Sequence, residues 1–331
     1  MKFLISAAAA LAMMCSPVGA QTRDKIIFSL NWVPYGLHYG VFAAEAQGFY
    51  RDANLDVDIQ RGYGSGDTVK RVATGAADFG MADTASLIIG RGKGLEVKQV
   101  AVILDRAADV IFYVKGVGIE KPSDLEGHSL GAATGETPLN LLPVFAAGAK
   151  FDPKKIRIVN LTPPAKFPTL VSKGVDSIVA LATEAPAVQS AADKAGVKLG
   201  RFDYSDFGVD YYSIGLIASD ETLAKRGDLA KRFIDATMKG HAWAIRNPDA
   251  AADAFVKRFP ESSRDLTLAQ WKVAIGHIVT ERTRKNGLGY MDPEKMAATL
   301  ELIKKYQDAK AELSPDEIFS AKYLSRIEVT E

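Results

Sequence analysis

Lys25-Ile26-Ile27-Phe28-Ser29-Leu30, followed at once by Asn31-Trp32-Val33-Pro34-Tyr35-Gly36, is the stretch from which the fold can be read. A short run of isoleucine, phenylalanine and leucine suits a strand, and the proline and glycine after it mark a loop. From His38 the apolar residues change period: Val41, Phe42, Phe49 and Tyr50, with Glu45 among them, fall at helical spacing. The unit then repeats. Leu55–Gln60 reads as a strand, Gly62-Tyr63-Gly64-Ser65-Gly66-Asp67 as a turn, and Val69, Val72 and Ala73 as one face of a helix. Asp78–Ala82 is a further strand, a helix starts at Thr84, and Val97–Leu104 is a strand again. Strands alternating with helices at this spacing predict an α/β fold with a parallel-rich sheet, not a sandwich or a helix bundle.

Working outward, a second α/β unit is expected after the strand Val110–Val114. Lys121-Pro122-Ser123-Asp124-Leu125-Glu126-Gly127 is a capped turn before the strand Ser129–Ala132, and Thr134-Gly135-Glu136-Thr137-Pro138 opens a helix. Ile156–Asn160 and Ser177–Leu181 read as strands with a helix over Pro164–Ser172 between them, and Tyr212–Ser219 returns the chain to the first unit. Beyond Ser219 the pattern is helical, with starts at Asn247-Pro248, Asp292-Pro293 and Ser314-Pro315, where a capping side chain precedes the proline that suits a first turn. The expected organisation is a discontinuous lobe I, residues 21–113 and 214–331, with lobe II, residues 114–213, inserted in it. Two crossings of the chain then form a hinge.

Upstream, Met1 and Lys2, an apolar stretch from Phe3 to Met14, and Ser16-Pro17-Val18-Gly19-Ala20 have the layout of a secretory signal, residues 1–20, cleaved after Ala20. The bulky Met14 before Cys15 argues against a lipid anchor on that cysteine. Cys15 is the single cysteine of the chain, so an exported product carries no disulfide, thiol nucleophile or cysteine ligand. No later stretch approaches the roughly 20 apolar residues of a membrane span. With Lys2 removed, the 41 basic residues become 40 and match the 40 acidic ones, interleaved along the helices, which excludes the basic surface of a nucleic-acid binder. His38, His128, His241 and His277 are too scattered to predict a metal site, and no cofactor is expected. There is no Gly-x-Ser-x-Gly elbow, and the glycines from Gly62 lack the lysine and spacing of a phosphate loop.

Candidate ligand contacts gather where strands end. Trp32, Tyr35 and His38 lie in or beside the loop after the first strand, at the carboxyl edge where such sheets bind ligands. Stacking of a flat solute and plain core packing of Trp32 are both open. Gly64-Ser65-Gly66-Asp67-Thr68 and Thr134-Gly135-Glu136-Thr137 begin helices, and N–H groups there can meet a ligand or only their own caps. Asp83 either caps the helix from Thr84 or contacts the ligand. Glu184, in Thr183-Glu184-Ala185-Pro186, is either an acceptor for ligand amino groups or a solvated loop acid. Asp210-Tyr211-Tyr212, at the second crossing, either closes a cleft or packs the hinge.

Asn31-Trp32-Val33-Pro34, the helix end Ala46-Gln47-Gly48-Phe49-Tyr50, Leu55-Asp56-Val57 and Gly75-Ala76-Ala77-Asp78-Phe79-Gly80, taken in order, resemble the thiamine-pyrimidine-precursor-binding branch of the nitrate, sulfonate and taurine solute-binding proteins. The likeness continues through Lys121–Gly127, Gly174-Val175-Asp176 and Arg232-Phe233 to Asn247-Pro248. It implies a type II periplasmic-binding fold, two α/β lobes joined by a two-strand hinge, that serves an ABC importer's permease and ATPase; a monomer is the default expectation. It also implies that Asn31 and Trp32 hold a ring. On that footing the expected solute is a flat nitrogen-containing or aromatic molecule such as a formylaminopyrimidine. Trp32 and Tyr35 would stack it, Asn31, Asp83 and Glu184 would bond it, and Ser65, Thr134 and Thr137 would close on it. A sulfonate, taurine or nitrate would need an arginine or several free N–H donors, and Asp83 and Glu184 would oppose it. The same fold serves a pyrimidine synthase with a cysteine-rich, iron-binding segment, which this sequence lacks.

Overall fold

In the computed structural model the described residues are 22–306 and 313–329, so the leader and Cys15 lie outside them. Ten strands form two five-stranded sheets. The first holds β1 (Asp24–Ser29), β2 (Leu55–Gln60), β3 (Phe79–Asp83), β4 (Val97–Val102) and β10 (Ile214–Ser219). The second holds β5 (Asp109–Val114), β6 (Ser129–Ala132), β7 (Arg157–Asn160), β8 (Ser177–Leu181) and β9 (Leu199–Asp203).

Their orders, β2-β1-β3-β10-β4 and β7-β6-β8-β5-β9, are one pattern used twice. In each sheet three neighbouring strands run parallel. The fourth, which the chain supplies as it arrives from the other lobe, pairs antiparallel with both neighbours. The parallel-rich expectation is thereby corrected to mixed sheets. So is the first lobe boundary: β5 lies wholly in the second sheet, and the crossing falls between residues 102 and 109 instead of after 113. All six β5 residues are buried, so their run reads equally well in either sheet. The second crossing lies just before β10.

The crossings touch each other. Leu104 N–H donates to the Ile214 carbonyl at 2.9 Å and Ser213 N–H to the Leu104 carbonyl at 3.2 Å. A C-terminal helix, Pro293–Tyr306, braces them, since Lys295 Nζ donates to the Asp105 carbonyl at 2.9 Å and to the Asp210 carboxylate at 2.8 Å. The first sheet is covered by the 20-residue helix Gly227–Arg246, whose Phe233 stacks on Phe79 at 4.3 Å and meets Phe28 edge-on at 5.0 Å. No helix of the described residues is long and apolar enough to cross a membrane.

Candidate ligand-binding cleft

Between the sheets lies a small cavity lined by Asn31, Trp32, Tyr35, Gly64, Ser65, Asp83, Glu136, Thr137, Pro138, Leu181, Glu184 and Ile214. The lobes touch around it. Tyr35 Oη lies 2.8 Å from Thr183 Oγ1, Ser86 Oγ lies 2.9 Å from Thr137 Oγ1, and Gly66 N–H reaches the Gly135 carbonyl at 3.4 Å.

The first wall is built by the loop after β1. Gly64 N–H donates to the Asn31 carbonyl and Gly62 N–H to the Trp32 carbonyl, each at 2.9 Å. A Cβ on Gly62 would sit 2.0 Å from the Leu30 carbonyl oxygen, so only glycine permits this approach. Tyr35 N–H donates to His38 Nδ1 at 3.2 Å, which leaves the ring proton on Nε2, 2.9 Å from Asn31 Oδ1. Burial, with His241 beside it, pushes His38 down to about 3, so the ring stays neutral. Asn31 Oδ1 is thus occupied, and its Nδ2 donors remain for the cavity.

Opposite stands a charged cluster from the second lobe. Glu136 accepts from Ala133 N–H at 2.8 Å and is paired with the ammonium of Lys166. Lys166 is fully buried, and its Nζ also lies over the Trp32 ring, 5.1 Å from the centroid. Burial lowers the Lys166 affinity for its proton, but Glu136 and Glu184 more than offset this. Burial raises the Glu136 carboxyl against the pull of Lys166. Glu184 accepts from Leu181 N–H at 3.0 Å through Oε2.

At the back, Asp83 caps the helix Thr84–Gly92 by accepting from Ala85 N–H at 2.8 Å, and accepts from Ser213 Oγ at 2.9 Å. The Tyr211 oxygen lies 3.0 Å from Asp83 Oδ2 and 2.6 Å from Asp109 Oδ2. One phenol proton cannot serve both carboxylates, so a second proton is shared in this chain. Asp83 is compensated by its other donors, whereas Asp109 Oδ1 is buried without a partner, which places the proton on Asp109. Burial, and then the charge of Asp83, hold Asp109 well above the usual carboxylate range, and burial lifts Asp83 to about 6. A raised folded pKa means the folded state keeps a proton that the unfolded chain has lost, so this group's contribution to stability falls as pH rises. Asp109→Asn is therefore expected to gain stability relative to the parent as pH rises from about 4 to 8, in urea unfolding followed across that range. A difference that does not change with pH would place the proton elsewhere.

Of the residues singled out in the sequence, Asn31, Trp32, Tyr35, Ser65, Asp83, Thr137 and Glu184 line the cavity. Three do not. His38 stands behind Asn31, because its two nitrogens are consumed by the loop. Tyr211 is buried behind Asp83, at the hinge. Thr134 faces solvent and its Oγ1 donates to Asn160 Oδ1 at 3.1 Å, outside the cleft. Sequence reasoning missed Glu136, Lys166 and Asp109. Glu136 was within reach, as the acid inside the helix-opening run Thr134–Pro138. Lys166 was not: one lysine in a short amphipathic stretch reads as solvent-facing.

The description "NMT1/THI5 like" fits residues 36–251, most of the chain. The chain belongs to this family. The chain is 22% identical over 307 residues to the formylaminopyrimidine-binding protein of Halalkalibacterium halodurans, covering 91% of each. It is 23% identical over 260 residues, 76% of each, to the 4-amino-5-hydroxymethyl-2-methylpyrimidine phosphate synthase THI13 of Saccharomyces cerevisiae. Among solved structures, the alkanesulfonate-binding protein SsuA of Xanthomonas axonopodis pv. citri, bound to MOPS, superposes with a TM-score of 0.65 at 12% identity, over 88% of this chain and 96% of that one. The NMT1/THI5-like chain therefore has the two-lobed α/β fold of the periplasmic binding proteins. Its relatives thus include one named a binding protein and one named a synthase. Among the described residues no group of three or more His, Cys, Asp or Glu is placed to hold a metal.

Proposed function

We propose that this chain captures a flat, nitrogen-containing solute of the aminopyrimidine kind in the periplasm and passes it, as a monomer, to the permease and ATPase of an ABC importer. The observation that carries this reading is the cavity lining: two aromatic rings, Trp32 and Tyr35, with Asn31, Asp83, Glu136 and Glu184, and no arginine, lysine or histidine. Rings supply stacking surface and carboxylates accept from amino groups. Seven inward residues come from lobe I and five from lobe II, so a bound solute favours the closed arrangement. The H. halodurans relative supports the pyrimidine class.

Protein stripped of ligand by unfolding and refolding is to be screened by thermal shift. The ligands are aminopyrimidines, flavins, aromatic acids, sulfonates, taurine and nitrate. A true ligand at about a hundred times its dissociation constant adds about 2.7 kcal/mol, and that shift is expected with aminopyrimidines. A shift with sulfonate or nitrate alone would overturn the solute class and keep the transport role. Binding without turnover is expected, and product formation from a pyrimidine would point to the enzyme branch instead.

A further inference from the structure

The charges around the cavity do not balance. Three carboxyl groups, Asp83, Glu136 and Glu184, line it, and among the described residues the one cation in contact with the cluster, Lys166, is hydrogen-bonded to Glu136 and acts on Glu184 only through its field. Asp83 is met by Ala85, Ser213 and Tyr211. Glu184 differs. Its Oε2 is held by Leu181 N–H, its Oε1 has no hydrogen-bond partner among the described residues, and that oxygen is not sealed from the cavity. A carboxyl oxygen left unmatched in a closed cleft calls for a donor or a counter-charge to offset its lost hydration.

Deepening the solute reading above, on which it rests, we infer that the cleft holds its ligand as a cation: a weakly basic amino-heterocycle that carries a ring proton when bound, with Glu184 as its counter-charge. The balance is simple. A ring-nitrogen lone pair takes a proton from solvent, the resulting N–H⁺ donates to Glu184 Oε1, and no other bond changes. The titratable groups that act on Glu184 are Tyr35, Glu136 and Lys166. The helices Ala185–Ala195 and Arg264–Ile278, packed against its turn, place none of their charged side chains (Asp193, Lys194, Arg264, Asp265, Lys272, His277) on the cavity.

The test is calorimetric titration of the mature protein with 4-amino-5-hydroxymethyl-2-methylpyrimidine in phosphate and in Tris, whose ionisation enthalpies differ. Above the pKa of the free ring, at about pH 8, uptake of about one proton per ligand is expected, with affinity falling about tenfold per further pH unit. Glu184→Gln should abolish the uptake, with folding checked by its melting curve. Uracil, a pyrimidine without a basic ring nitrogen, should bind the parent at least about tenfold more weakly, the worth of roughly one pKa unit. Aminopyrimidine binding with no proton uptake, or with uptake undiminished in Glu184→Gln, overturns the cation and leaves the solute class standing. Absence of binding by every heterocycle overturns both.

Discussion

Lys166→Met is expected to destabilise the protein by about 3–5 kcal/mol, the usual cost of removing one partner of a buried ion pair. Lys166 is 0% exposed, and methionine keeps most of its volume, so the loss is electrostatic. Without the ammonium, buried Glu136 is left with the opposing charge of Glu184 and must take up a proton or draw in water. The double variant Lys166→Met with Glu136→Gln should recover most of the loss, because it removes both members of the hydrogen-bonded pair together. Urea unfolding of the four members of this cycle measures the coupling. A single-variant loss below about 1 kcal/mol would show that the pair behaves as an exposed one.

Trp32→Ala should weaken binding of the best pyrimidine ligand by about 2 kcal/mol or more, the scale of a buried aromatic hot spot. The indole does two jobs: it lines the cavity and it carries the Lys166 ammonium on its ring. Trp32→Phe, which keeps a ring on which a solute and a cation can rest, should lose less. Calorimetry on both variants checks this, and unchanged affinity in Trp32→Ala would remove the indole from the site.

What could be read from the chain alone follows from the range over which each feature is encoded. The strand-to-helix alternation is local, so β1 to β4 and β6 to β8 are visible in short windows. β9 is not, because Leu199-Gly200-Arg201-Phe202-Asp203 lacks a β-branched run. Its glycine is there for a tertiary reason, as a Cβ on Gly200 would meet the Tyr113 ring at 2.1 Å. The same division holds in the cleft. Asn31, Trp32, Tyr35, Ser65, Asp83, Thr137 and Glu184 sit at strand ends and helix starts, which periodicity marks. Lys166 and Asp109 acquire their roles only through partners at distances of 30 and 102 residues along the chain, Glu136 and Tyr211. No local pattern encodes such a pair. His38 and Tyr211 drew attention as aromatics near a loop, but their polar atoms turn out to orient or tether other residues.

The exchanged fourth strands have a consequence for how the protein assembles. The second sheet is contiguous in sequence, from Asp109 to Asp203, and can close as soon as that stretch exists. The first sheet cannot: β3 and β4 never pair directly, and both wait for Ile214–Ser219 to slide between them. Closing that long loop comes late, and long-range pairing of this kind is slow. As the chain emerges from N- to C-terminus, the inserted lobe is therefore the one that folds first, while the lobe that begins the sequence finishes last.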